Sequence, residues 1–154
     1  MGHTIHSVKQ SIFIANEKKG TVSIRDNKLQ SELSEGILIV NCDIDQGDKF
    51  NIENNTLTML GNSIAISVFD TEGKLNILDG NHIETKYLNE VSNIYNNRGI
   101  QLVRTMGPTT IKGNTISSPA PYKTGLGIGV FNSENTHITE NKLEGIFTLS
   151  LIHI

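Results

Sequence analysis

The chain has 154 residues, enough for one domain with a real core and too few to expect two. Its 13 basic and 16 acidic residues leave a net charge of −3 with no basic stripe, which argues against a nucleic-acid phosphate backbone as partner. No apolar run approaches the roughly 18 residues of a membrane span, and a lone Cys42 excludes an internal disulfide framework.

Apolar residues make up 36% and aromatics only 5%, without a Trp. The chain is rich instead in Ile (21) and Asn (17). Ile suits a pleated strand surface, and Asn suits turns because it tolerates the left-handed conformation. Cys42 reads as a small, partly buried apolar residue. The opening MGHTIHSVKQ lacks the apolar region of a signal peptide.

In chain order, one motif returns. GHTI at Gly2–Ile5 has His3 where later copies have Asn. Then come IRDNKL at Ile24, IENNTL at Ile52, LDGNHI at Leu78, IKGNTI at Ile111 and ITENKL at Ile138. Their Asn residues (Asn27, Asn55, Asn81, Asn114, Asn141) are 28, 26, 33 and 27 residues apart, a solenoid period. Between them recurs a strand with alternation of period two: SIFI, GILIV, SIAIS, GIQLV, GIGVF and GIFTL. A leucine-rich repeat needs a different signature, and a propeller blade needs about 40 residues and four strands.

Three short strands per coil make a parallel β-helix rung. Three inward columns are predicted: Ile24, Ile52, Leu78, Ile111, Ile138; Leu29, Leu57, Ile83, Ile116, Leu143; and Ile12, Ile37, Ile64, Ile100, Ile128, Ile146. Neighbouring strands lie roughly 4.8 Å apart, so each side chain meets its own kind above and below. The Asn is expected to mark the corner in a left-handed conformation, with stacked amides bonding in a ladder. The repeats resemble the right-handed parallel β-helix of the pectate-lyase-like superfamily over Gly2 to Leu149. The resemblance implies an all-β, single-stranded solenoid of about five to six rungs and a role in carbohydrate chemistry, as in polysaccharide-acting enzymes or phage tail spikes. Its enzyme signatures, NTD with DD, GHG and RIK, or DPHE, do not occur in the sequence.

Residues 1–154 are expected to form a single β-helix domain. GIFTLSLIHI closes on an apolar strand with no polar cap. That ending predicts an excerpt of a longer β-helix or a unit stacked in a homo-oligomer, a trimer being the leading form. The outward positions Phe13, Leu38, Val40, Ala65, Ser67, Gln101, Val103, Gly129, Phe131, Phe147 and Leu149 are largely apolar, which predicts a covered face.

Counting six residues on from the third column gives Lys18, Asp43, Asp70, Met106 and Glu134. Asp43 and Asp70 then share an offset on adjacent rungs, with Asp45, Glu72 and Arg104 near. Such a pair suits Ca²⁺ or acid–base work on a glycosidic bond; the plainer reading is a solvated acidic turn without a cofactor. The five histidines share neither an offset nor metal-ligand spacing, so no metal site is expected of them. ETKYLNEVSNIYNNR (Glu84–Arg98) carries helical periodicity and predicts a short helix on the coil, with Tyr87 and Tyr95 as candidate rims of a ligand cleft. Tyr122, in SSPAPYKTGLG, is a third candidate ligand contact. The functional expectation is a structural or glycan- and receptor-recognition module, extracellular or virion-associated, with a surface polysaccharide as partner. The alternative is a lyase or hydrolase of acidic polysaccharide using Asp43, Asp70, Arg104 and Glu134.

Overall fold

The computed structural model describes residues 2–7, 10–43, 49–61, 63–77, 79–86, 97–118 and 124–152, with the backbone alone at 76, 124 and 147–152. The regular elements among them are strands, and each pairs in parallel with the strand one coil further along. The first sheet stacks β1 (Thr4–Ser7), β4 (Lys28–Ser31), β7 (Thr56–Leu60), β10 (His82–Lys86), β13 (Thr115–Ser117) and β16 (Lys142–Glu144). The second holds β2 (Ile12–Ala15), β5 (Ile37–Val40), β8 (Ile64–Thr71), β11 (Arg98–Thr105), β14 (Thr124–Phe131) and β17 (Ile146–Ile152). The third holds β3 (Val22–Arg25), β6 (Lys49–Glu53), β9 (Lys74–Ile77), β12 (Thr109–Lys112) and β15 (Thr136–Thr139). The chain visits the three in rotation. It is an all-β parallel solenoid.

Short apolar alternation explains why the strands coil rather than form hairpins: each strand has one face to bury, and the like strand of the next coil supplies the surface. In the first sheet Ile5, Leu29, Leu57, Ile83, Ile116 and Leu143 align in register. Leu57, Ile83 and Ile116 in its middle are fully buried, each side chain contributing about 1.5–3 kcal/mol of transfer energy. Phe50 is fully buried and aligns with Val22 and Leu75.

Two columns differ from the sequence expectation. In the third sheet Ile52 and Ile111 align with Ile77, not Leu78. Asn54 N–H bonds to Asp79 O at 3.4 Å, so the stretch after Ile77 carries one residue more than the rung before; Leu78 itself lies outside the described residues. In the second sheet Ile37 and Ile100 align with Ile66, not Ile64. A slip of two residues keeps every side chain on its face, so alternation alone does not separate Ile64 from Ile66. Ile146 pairs with Thr124, next to a register shift between Leu126 and Gly129, and so leaves that column too.

The Asn column is the interior corner. Asn27 Nδ2 donates to Asn55 Oδ1 at 3.0 Å, Asn55 to Asn81 at 3.1 Å, Asn81 to Asn114 at 2.9 Å and Asn114 to Asn141 at 2.9 Å. Their Nδ2 groups also reach the carbonyls of Ile24, Ile52, Ile77 and Ile111. His3 holds the first place through its backbone N–H, 3.2 Å from Asn27 Oδ1. The left-handed residue is the one before each Asn: Asp26, Asn54, Gly80, Gly113 and Glu140 all have positive φ. The Asn was expected to make the turn; its neighbour makes it, and the Asn ties the coils together.

On the outer side of the second sheet, Leu38, Ala65, Ser67 and Gln101 are buried within the single chain, whereas Phe13 is 61% exposed. Of the stretch expected to be helical, Glu84–Lys86 belong to β10 and Arg98 to β11; residues 87–96 lie outside the described residues, as do Tyr87, Tyr95 and Tyr122.

Candidate functional site

At or just past the end of β2, β5, β8, β11 and β14 the chain turns through a second left-handed corner. Asn16, Asn41, Asp70, Arg104 and Asn132 have φ between 47° and 60° and stand in one exposed column. Asn41 Nδ2 donates to Asn16 Oδ1 at 2.6 Å. Arg104 holds Asp70 in a two-pronged pair, Nε to Oδ1 at 2.5 Å and Nη2 to Oδ2 at 2.9 Å. The Arg104 hydrogen bond lowers the Asp70 carboxyl below its ordinary range, and the same bond raises the guanidinium.

From the corner at Asn41 onward, the residue that follows turns inward. Cys42, Thr71, Thr105 and Ser133 are buried there. Cys42 Sγ–H bonds to Val40 O at 3.3 Å, Thr71 Oγ1–H to Phe69 O at 3.0 Å and Ser133 Oγ–H to Phe131 O at 3.0 Å. A thiol and two hydroxyls thus do the same job, satisfying the carbonyl two residues back. Burial pushes the Cys42 thiol pKa up.

One position further on lie Lys18, Asp43, Glu72, Met106 and Glu134, because Asp43 N–H bonds to Glu17 O, Glu72 to Cys42, Met106 to Thr71 and Glu134 to Thr105. This is the offset predicted from the sequence with one exchange: Glu72 stands where Asp70 was expected. The Ile64-to-Ile66 slip causes it, placing Asp70 two residues earlier, beside Arg104. Asp43 and Asp70 therefore do not face each other on adjacent rungs. Asp43, Glu72, Met106 and Glu134 are all exposed.

The outer face of the first sheet went unremarked in the sequence. It carries Thr4, Lys28, Thr56, His82, Thr115 and Lys142 in one row and His6, Gln30, Thr58, Glu84, Ser117 and Glu144 in the next, every one exposed or half-exposed. A groove of about 170 Å³ lies over β1, β4 and β7. The available signal was the set of polar residues flanking each inward Leu or Ile, such as Thr56 and Thr58 around Leu57.

These features define a parallel β-helix repeat protein with a polar outer face on its first sheet. The chain belongs to the NosD family: the family model described as "Periplasmic copper-binding protein (NosD)" matches residues 1–148. No curated protein and no solved structure matches the chain.

The family corrects the expectation of no cofactor, with Ca²⁺ as the option at Asp43 and Asp70: copper is the metal in its description. Copper selects thiolate, thioether and imidazole donors, and the described residues do not gather them. Cys42 and Met59 are fully buried. Met106 stands between Glu72 and Glu134. His6 neighbours Gln30, His82 neighbours Thr56 and Thr115, and His137 neighbours Thr110. Among the described residues no three His, Cys, Asp or Glu groups are placed to hold a metal ion. The coil described does not fit a copper ion. No helix among the described residues is long and apolar enough to cross a membrane, which says nothing of spans built from strands.

Proposed function

We propose that the chain is a periplasmic recognition module, a rigid β-helix whose outer face binds an elongated polar ligand, a polysaccharide or surface glycan. The observation that carries this reading is the face of the first sheet. Six strands at roughly 4.8 Å spacing hold two unbroken rows of hydroxyl, amide, imidazole and charged side chains. Regular rows on a stiff support suit a ligand with its own repeat. Right-handed winding, five to six rungs and kinship with the pectate-lyase-like superfamily belong to the same proposal. Parallel crossover connections strongly favour that hand, and the strand count of the first two sheets supports the rung number. The copper binding in the family's description is not assigned to the described coil, whose nitrogen and sulfur donors stand apart.

A second reading, turnover of acidic polysaccharide through Asp43, Asp70, Arg104 and Glu134, draws on the acids near this corner. Against it, the Arg104 hydrogen bond favours the ionised form of Asp70 and so makes Asp70 a poor proton donor. A trimer remains part of the structural proposal, and burial of Leu38 and Ala65 within one chain leaves it less apolar surface to explain. Light scattering at micromolar concentration tests it, a stable monomer counting against.

The functional test screens polysaccharides for saturable binding, alongside ultraviolet detection of unsaturated uronate and a reducing-end assay. Binding with both assays silent is expected. Turnover that disappears in an Asp43→Asn/Asp70→Asn double variant would replace the module with the enzyme.

A further inference from the structure

The face of the first sheet is electrically divided. Its far half carries Glu84 and Glu144, each met on its own strand by a lysine: Lys86 and Lys142, both at 2.8 Å. Its near half, over β1, β4 and β7, presents Thr4, His6, Lys28, Gln30, Thr56 and Thr58, and no carboxylate. These six line the groove of about 170 Å³. Among the described residues Lys28 has no ion-pair partner, in contrast to Lys86, Lys112 and Lys142.

We infer that this groove binds a single carboxylated sugar unit of an acidic polysaccharide. Lys28 takes the carboxylate, and the hydroxyls of Thr4, Thr56 and Thr58 with the Gln30 amide take the ring hydroxyls. The inference rests on the glycan-recognition reading and adds to it a location and a charge.

Size is the first support. The groove is well below the roughly 300–1,000 Å³ of sites that enclose a whole small ligand, which suits one unit of a chain lying across the face. Charge is the second. One cation free of carboxylates matches one acid per sugar, while a phosphate brings about −1.5 to −2 and favours forked arginine or converging backbone N–H groups. Here the N–H groups of β4 and β7, each flanked by a strand on both sides, are engaged in the parallel ladder. Shape is the third. Alternate residues on a strand and like residues on adjacent strands form a grid of side-chain donors and acceptors, and Gln30 and Thr58 sit half-buried within it.

The test is calorimetric titration of the full chain with a galacturonic acid tetramer and with its methyl ester, whose charge is removed. The acid is expected to bind at least about tenfold more tightly than the ester, and to weaken as salt rises, since the cation is exposed. Lys28→Glu should lose about tenfold for the acid and change little for the ester, while Lys74→Glu, on the third sheet, keeps wild-type affinity. Thr58→Val, which retains strand preference, should weaken both ligands. Equal affinity for acid and ester, or an unaffected Lys28→Glu, overturns the groove assignment and leaves the module reading standing. Failure of the wild type to bind any glycan in the wider screen overturns both.

Discussion

Two left-handed corners recur along the described coil, and they are built in opposite ways. At the interior corner the Asn side chains of residues 27, 55, 81 and 114 are buried and bonded from rung to rung. At the other, Asn16, Asn41, Asp70, Arg104 and Asn132 share the backbone conformation but hold their side chains in water. The first corner repeats one side chain because the Asn amide, with two N–H donors and an acceptor, bonds to the next Asn and to a backbone carbonyl at once. The second accepts Asn or Asp because its inward work is done by the next residue, Cys42, Thr71 or Ser133, whereas after Arg104 the buried Thr105 Oγ1 has no partner among the described residues. Cohesion sits at the first and chemical freedom at the second.

The largest effect should follow from interrupting the buried stack. Asn81→Ala removes the acceptor used by Asn55 N–H at 3.0 Å and Asn55 Nδ2 at 3.1 Å, and the donor that serves Ile52 O and Asn114. Buried groups left unpaired should cost about 2–4 kcal/mol, read as a lower midpoint in urea. Asn41→Ala, at the exposed corner, should cost only about 1 kcal/mol, from backbone preference and the exposed bond to Asn16. Equal losses would erase the distinction between the corners.

The second effect belongs to the residue before the Asn. Gly113 has φ +66°, and a side chain there would meet Asp79, so Gly113→Val should cost at least about 1–2 kcal/mol. Gly113→Asn should be milder, because Asn occupies the equivalent place at Asn54. Thermal melts of both variants check the order. A Val that melts no lower than the Asn would move the turn back onto Asn114.

How much of this was legible follows from the same division. The Asn spacing exposed the coil because every copy meets the same buried, directional demand. The inward Leu and Ile of the first sheet were legible for a similar reason. Register was not: the alternation around Ile64 and Ile66 permits two alignments, and the extra residue after Ile77 carries no mark of its own. From the first of those slips came the pairing of Asp43 with Asp70. The polar face over Lys28 went unnoticed because residues that alternate with a core look like solvent-facing filler until the strands are laid side by side.

A smaller effect tests the inward residue of the exposed corner. Cys42 occupies the place of Thr71 and Ser133 and makes the same bond to the carbonyl two residues back, so Cys42→Ser should stay within about 1 kcal/mol of the wild type. The buried thiol, its pKa raised by burial, should resist a thiol reagent until the protein unfolds. Rapid labelling of the native chain would show that this column is open.

The smallest effect distinguishes the corners by titration. Arg104 lowers the Asp70 pKa, so the pair contributes above the unfolded carboxyl value of about 3.9 and loses its contribution as pH falls through the lowered folded value. Because both groups are exposed, salt should shrink the contribution further. Asp70→Asn should therefore melt slightly below the wild type near neutrality and converge with it in acid. Arg104→Gly should change little, since it gives up the pair while relieving a positive φ of 52°. The Asn stack has no titratable group, so the Asn81→Ala deficit should persist across the same range. A deficit at Asp70→Asn that grew on acidification would mean that the pair does not stabilise the corner, and that its charge serves something outside the coil.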